Sequence, residues 1–322
     1  MIHRRHLAAA AAALPLLPGA ARASDWPSRP VRIISPFPPG GAADLLARFM
    51  AEELRGPLNQ AVVVENRVGA GGTVGAEFVA RGPADGYSWL LASTGPLAIT
   101  PNLITLSFDP NRDLAPVAMV AVVPAVFCVH PSVPAQNMAE LIALARAQPG
   151  RMSYASGGNG TTTHLFVELL KQLANLDIVH VPYRGSGPSI TDTIAGRVQF
   201  LCDTLPATLQ HIRDGRLRAV GVTTTTRQAA LPDVPTVVES GVPGYEAQGW
   251  YGMSAAAATP PELVARMNRE VNALLDQPAL RGRLQELGAF PDNMTPAQFG
   301  EFALADRARW ARVIREGNIR VD

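Results

Sequence analysis

Lysine is almost missing: Lys171 is the only one among 28 basic residues, which face 27 acidic ones. The formal charge is +1. Without the first 23 residues, which hold Arg4, Arg5 and Arg22 and no acid, 25 basic residues remain against 27 acidic, a net charge of −2. No basic face of the kind nucleic acid requires is indicated. Only two cysteines occur, so no disulfide framework exists, and two cysteines with six scattered histidines make no zinc pattern. Nucleotide and hydrolase signatures are missing too. Gly69-Ala70-Gly71-Gly72-Thr73-Val74 fails the dinucleotide motif at its sixth position, and no Walker glycines precede Lys171. Gly185-Ser186-Gly187 lacks the spacing of a nucleophile elbow. His130, His180 and His211 show no sequence partner for acid–base work and read as structural. No catalytic residue, cofactor or metal is assigned. The longest apolar run past the leader, residues 114–129, is interrupted by Pro116 and Pro124 and rich in Val, so it reads as two buried strands in series.

The leader itself is informative. Arg4-Arg5 precede a short apolar run from Leu7 to Leu17, and Ala21-Arg22-Ala23 supplies small residues at a cleavage point. This is the pattern of an export signal at residues 1–23, with the mature chain starting at Ser24. The paired arginines allow a twin-arginine route; His3 before them favours the general secretory one. The expected location is the periplasm. There Cys128 and Cys202 could pair, although both sit in strand-like apolar runs where a buried free thiol is the plainer reading.

At 322 residues and 47% hydrophobic, the mature chain is expected to fold as two lobes. Strand-like runs alternate with helical periodicity from residue 31 to 223, which predicts β-α-β units in parallel sheets. Two amphipathic helices, residues 260–275 and 296–314, follow an extended stretch near Trp250.

Glycine and hydroxyl residues concentrate where strands end. Residues 153–164 read Ser-Tyr-Ala-Ser-Gly-Gly-Asn-Gly-Thr-Thr-Thr-His between a strand and a helix. Such a junction points free backbone amides and the positive end of a helix dipole outward, a seat for an anion that needs no Lys or Arg. An ordinary capped turn would use the same residues. Residues 36–44, Pro-Phe-Pro-Pro-Gly-Gly-Ala-Ala-Asp, form a second such junction, with Asp44 in the first helical turn. Ser93-Thr94, residues 183–187 and Asp203-Thr204 end three further strands. Open α/β sheets bind ligands at such ends. His164 could bond a ligand or be satisfied within its helix. Arg184 could pair with a second carboxylate or be solvated. Asp203 could face a ligand, cap the next helix, or do both.

Taken in order, residues 36–44, Val-Glu-Asn-Arg-Val-Gly-Ala-Gly-Gly (64–72), Asp-Gly-Tyr (85–87), Tyr-Ala-Ser-Gly-Gly-Asn-Gly-Thr (154–161), Val-Pro-Tyr-Arg-Gly (181–185) and Leu-Pro-Asp-Val-Pro-Thr (231–236) resemble the substrate-binding proteins of tripartite tricarboxylate transporters, the Bug family. The likeness covers nearly all the mature chain. It implies an α/β, two-lobed type II periplasmic-binding-protein fold with a hinge and a central ligand cleft: residues 24–126 plus 245–322 in lobe 1, and 127–244 in lobe 2. It also implies ligand contacts at Ser156, Asn159, Gly160, Thr161, Tyr183, Gly185 and Asp203, with Phe37, Gly40 and Gly41 meeting the ligand through water. Pro39 stands where the family often has a small residue, which removes one backbone donor. Asp44, Ser93, Thr94, His164 and Arg184 join the candidate site on their own chemistry.

The function expected from this resemblance is that of a monomeric periplasmic receptor. It would close on a small organic carboxylate and deliver it to the membrane subunits of a tripartite tricarboxylate-type transporter. A sensor that signals to a membrane kinase would share every binding residue. An exported α/β hydrolase would need a nucleophile–base pair that the sequence does not show. The identity of the carboxylate is left open.

Overall fold

The computed structural model describes residues 26–321, so the export signal and its cleavage point lie outside the described residues. The elements are β1 (Val31–Ser35), α1 (Ala42–Leu58), β2 (Val62–Asn66), α2 (Thr73–Ala80), β3 (Ser88–Ser93), α3 (Pro110–Asp113), β4 (Leu114–Val129), α4 (Met138–Ala147), β5 (Ser153–Ser156), α5 (Thr162–Ala174), β6 (Val179–Pro182), α6 (Ser186–Ile194), β7 (Phe200–Thr204), α7 (Leu205–Arg213), β8 (Arg218–Val222), β9 (Gln248–Ala256), α8 (Pro261–Leu275), α9 (Pro278–Glu286) and α10 (Pro296–Glu316). None of these helices is long and apolar enough to cross a membrane.

The strands run in the order β2-β1-β3-β9-β4-β7-β5-β6, with β8 also on β4. The expectation of parallel sheets holds only at the two wings. β1 is parallel to β2 and β3, and β5 is parallel to β6 and β7, whereas β9 and β4 enter antiparallel. The apolar run 114–129 is one strand rather than two. Its residues 114–124 pair with β9, and its residues 125–129 pair with β7 and β8. Pro124, which has no N–H to give to a ladder, sits at the switch of partners.

This topology positions the site. β3 and β7 are each antiparallel to a neighbour in the β9–β4 pair, so the two wings run head-on with their C-terminal ends facing. Ser93 at the end of β3 pairs with Tyr251, Tyr251 with Ala121 of β4, and Ala125 of β4 with Thr204 at the end of β7. Two sets of strand ends therefore meet within four residues of β4.

Three apolar clusters hold the wings. Leu46, Phe49, Met50, Trp89 and Met267 pack one face of the first wing, and Val126, Cys128, Ile190, Leu201 and Leu209 pack one face of the second. The third cluster runs across both, from Leu90 through Phe127, Phe166 and Phe200 to Trp310. Its brace is α10, opened by Thr295 and Gln298 in a reciprocal capping box. Phe299 meets Trp250 edge-on at 5.4 Å, and three turns later Trp310 stacks on Phe166 at 5.7 Å. Cys128 and Cys202 are free and buried. They belong to different clusters, on opposite faces of their sheet, so their side chains point apart. The short α9 was not expected from the sequence: only Leu280 and Leu284 of its nine residues are buried, too few to set a helical period.

Candidate functional site

The loop after β1 is fixed from below. Asn66, the last residue of β2, donates from Nδ2 to Phe37 O at 2.8 Å and to Asp44 Oδ1 at 3.0 Å. Arg48 Nε donates to Asp44 Oδ2 at 2.9 Å. Burial pushes the Asp44 carboxyl up, but the hydrogen bonds from Arg48 and Asn66 and the Arg48 charge outweigh it and hold the group below its usual range. Asp44 is thereby spent on anchoring the start of α1.

The loop from Ser156 to His164 is laced by its own side chains. Gly157 N donates to Thr163 Oγ1 at 2.7 Å, Gly158 N donates to Ser156 Oγ at 3.1 Å, and Thr161 Oγ1 donates to Gly158 O at 2.7 Å. Gly160 N donates to His164 Nδ1 at 3.3 Å. With its hydroxyl turned back on the loop, Thr161 caps α5 by position only and leaves the first-turn amides free. Behind the loop, His180 lies between Tyr154 and His164, with ring centroids at 4.8 and 4.2 Å, and its Nε2 is 2.6 Å from Ser156 Oγ. A serine and an imidazole at this distance resemble a nucleophile and its base. Ser156 is buried, however, and burial together with His164 drives the His180 pKa down to about 3, so this imidazole does not take up a proton near neutral pH. The pair braces the loop.

Above these loops lies a cavity of about 30 Å³, room for roughly two water molecules. Its lining comes from both wings: Phe37, Pro38 and Gly41–Ala43; Ser93, Thr94 and Gly95; Gly157 and Thr161–Thr163; Gly185 and Ser186; Asp203 and Thr204; and Gly249, Trp250 and Tyr251. No Lys, Arg or His is among them. The N-termini of α1, α5, α6 and α7 all open here, and none carries a side-chain cap. Of the helices that start elsewhere, α4 and α10 are capped by Asn137 and Thr295, whereas α2, α8 and α9 also lack a side-chain cap, so what sets these four apart is the space they share. Four helix dipoles, each with roughly half a positive charge at its N-terminus, thus converge on one space walled by hydroxyl, glycine and apolar residues.

Two buried lining atoms have no partner, Ser93 Oγ from the first wing and Asp203 Oδ2 from the second. Asp203 Oδ1 accepts from Thr204 N at 2.7 Å and from Thr204 Oγ1 at 3.2 Å. Burial pushes its carboxyl up to about 6, against the pull of Ser186 and Thr204. The Ser186 hydroxyl lies close enough to ease the charge without forming a hydrogen bond of acceptable geometry to Oδ2.

The wings touch closely around this cavity. A Cβ on Gly185 would lie 2.4 Å from Pro38 Cγ, and one on Gly71 would lie 2.9 Å from Asn159 O. Thr100 Oγ1 donates to Gly160 O at 3.2 Å across the same gap. Outside the contact is a second, larger space of about 730 Å³, shared by Gly69–Gly72, Thr100, Leu103, Asn159, Gly160, Tyr183 and Arg184. Phe37, Pro38, Gly157 and Gly185 border both spaces.

Of the residues singled out in the sequence, Phe37, Gly41, Ser93, Thr94, Thr161, Gly185 and Asp203 line the inner cavity. Asn159, Gly160, Tyr183 and Arg184 line the outer space. Gly40, Asp44, Ser156 and His164 line neither: Gly40 is an exposed residue of the first loop, and the other three are buried beneath the loops. Ser186 and Thr163, which the sequence reading did not single out, lie within strand-end segments, so hydroxyl position alone could have flagged them. Trp250 and Tyr251 read in the sequence as aromatics that could wall a cleft or pack in a core, and nothing local decides between the two; the β3–β9–β4 pairing brings Tyr251 to the site.

Comparison with known proteins agrees with this architecture. The family model described as "Tripartite tricarboxylate transporter family receptor" matches residues 46–319. Protein BugT of Bordetella pertussis is 38% identical over 296 residues, which is 91% of this chain and 91% of BugT. The structure of R. palustris Rpa4515 with adipate superposes with a TM-score of 0.90 at 37% identity, covering 92% of this chain and 99% of that one. MatC from Rhodopseudomonas palustris, with bound malate, has a TM-score of 0.85 at 30% identity, covering 90% of this chain and 100% of MatC. The chain belongs to the tripartite tricarboxylate transporter receptor family, the Bug-type two-lobed periplasmic solute-binding proteins.

Proposed function

We propose that this chain captures a small organic carboxylate in the inner cavity, between a lobe of residues 24–126 plus 245–322 and a lobe of residues 127–244. It would act in the periplasm after removal of residues 1–23 and hand its ligand to the membrane subunits of a tripartite tricarboxylate-type transporter. The observation that carries this reading is the convergence of four uncapped helix N-termini on a cavity without a cation. Free amides and dipoles hold an anion well, and they are preorganised. A cation would find no fixed negative charge there except Asp203, which burial already biases toward its neutral form. Relatives solved with adipate and with malate support the same ligand class. The closed cavity has room for about one carboxyl group, so the remainder of a longer acid would extend past Phe37 and Gly185 into the outer space, toward Arg184.

Capture requires the lobes to part and close, and the place for that motion is the partner switch of β4 beside Pro124. A thermal-shift screen of residues 24–322 tests the reading. Adipate, malate, citrate, glutamate, nicotinate and terephthalate would be run beside their neutral amides. A true ligand at about 100 times its Kd adds roughly 2.7 kcal/mol to stability, and its amide adds nothing. Equal shifts from acids and amides would sink the carboxylate assignment, and turnover of the ligand would replace the receptor by an enzyme.

A further inference from the structure

We propose that the carboxylate is captured together with one proton, shared between a ligand carboxylate oxygen and Oδ2 of Asp203, so that binding takes up a proton from solution and release returns it. This rests on the carboxylate reading above and adds the protonation state in which the ligand is held.

The argument starts from the unpartnered oxygen. Asp203 is 1% exposed, lines the inner cavity, and has its Oδ1 occupied by Thr204 while Oδ2 is free of any hydrogen bond. An ionised oxygen in that position needs a donor, and the one hydroxyl beside the carboxyl, that of Ser186, eases its charge without hydrogen-bonding to Oδ2. Among the described residues no Lys, Arg or His lines the cavity to supply one. The titratable groups facing Asp203 are Cys202 on its own strand, Cys128 on β4 and Tyr251 on β9, all neutral acids that burial pushes further from ionisation. On α6, Asp192 is turned to Tyr183 and Arg197, and on α7, His211 sits in the last turn, at the far end from the cavity.

Into this space the helix N-termini draw an anion. Two carboxylates in one water-poor cavity with no cation between them cannot both stay ionised; one proton shared across the pair removes the repulsion and supplies the missing donor. Burial by the protein's own atoms already raises the Asp203 carboxyl to about 6, and an anion beside it raises it further. The balance is simple. No covalent bond other than O–H changes, and the proton comes from buffer and goes back to it. The second unpartnered atom, Ser93 Oγ, faces the same cavity from the opposite wing and can donate to the ligand's other oxygen once the lobes close.

Proton uptake is measured directly by calorimetry of the wild-type mature chain with adipate, malate and glutamate at pH 7, in three buffers of different ionisation enthalpy. The expected result is an uptake close to one proton per ligand and a Kd that rises about tenfold per pH unit between pH 7 and 8.5. Asp203→Asn is expected to show no uptake and a pH-flat affinity, whatever its value. Binding of any of these acids to the wild type without uptake overturns the proposal. For glutamate, that outcome would make Asp203 the partner of the ligand ammonium instead.

A ligand-free arm separates this failure from failure of the function itself. A folded pKa above the unfolded one gives an advantage that is complete below about pH 4 and lost as pH rises through about 6. The midpoint of Asp203→Asn should therefore gain on wild type from pH 4 to 7, and a constant difference overturns the proposal without any ligand. If that gain is seen while none of the acids binds even at pH 5.5, the carboxylate reading is what has failed, and proton capture falls with it.

Discussion

The contact between Gly185 and Pro38 offers a sharp test of closure, because it joins the two wings at the border of the inner cavity. Gly185 has φ +113°, and a Cβ there would stand 2.4 Å from Pro38 Cγ and 2.7 Å from Pro38 Cδ. Carbon atoms rest about 3.5–4.0 Å apart, so in Gly185→Ala the ring must retreat by more than about 1 Å or the lobes must stay apart. Two terms with different signatures follow. The left-handed backbone costs about 1–3 kcal/mol whatever the lobes do, and it shows as a midpoint lowered by several degrees. The clash costs about 1–3 kcal/mol only in the closed form, and 2 kcal/mol of that weakens ligand binding about 30-fold. The assay is calorimetric binding of whichever acid the thermal-shift screen identifies, run on Gly185→Ala, Pro38→Ala and the double variant. Trimming the proline ring should restore affinity in the double variant to within about fivefold, while the lowered midpoint persists, a coupling that a double-mutant cycle isolates. Wild-type affinity in Gly185→Ala, or no rescue by Pro38→Ala, would refute the idea that the wings meet here when ligand is held.

Three further outcomes are expected. Trp250→Phe removes the 2.8 Å bond from the indole to buried Asp306, and should lower stability by about 1–3 kcal/mol in urea titrations, whereas an unchanged midpoint would mean Asp306 is satisfied by Arg309 alone. His164 and His180 have pKa values pushed down by burial to about 4 and about 3. The unfolded chain takes up two protons near pH 6.5 that the native one refuses, so their contribution is whole above that pH and is lost on acidification through about 4 for His164 and about 3 for His180, partly offset by Asp203; His180→Gln should remove about half of the fall, and identical pH profiles would refute this. Cys128 and Cys202 should be inert to thiol reagents in the native protein and titrate as two thiols in denaturant, since both are buried and unpaired; a count of zero would reveal a disulfide.

The sequence determined local structure and the site's chemical character. Glycines and hydroxyls between a strand and a helix mark the loops at residues 36–44 and 153–164 as either anion seats or capped turns, a property of neighbouring residues that needs no tertiary contact; that Gly41 and Thr161 leave their helices without a side-chain cap was decided by the folded loops. The ordered motifs carried the family in the same way. The tertiary structure decided which of those residues share a space. Asp44 sits in a first turn like a ligand contact, yet Asn66, 22 residues on, and Arg48 turn it into an anchor. His164 follows the loop directly, yet His180 stacks on it and holds it beneath. Tyr251 reaches the cavity only because β9 runs antiparallel between β3 and β4, a pairing across 130 residues of chain that no local pattern encodes. The empty valence of Asp203 was equally invisible, since an unpartnered oxygen is a property of everything packed around it.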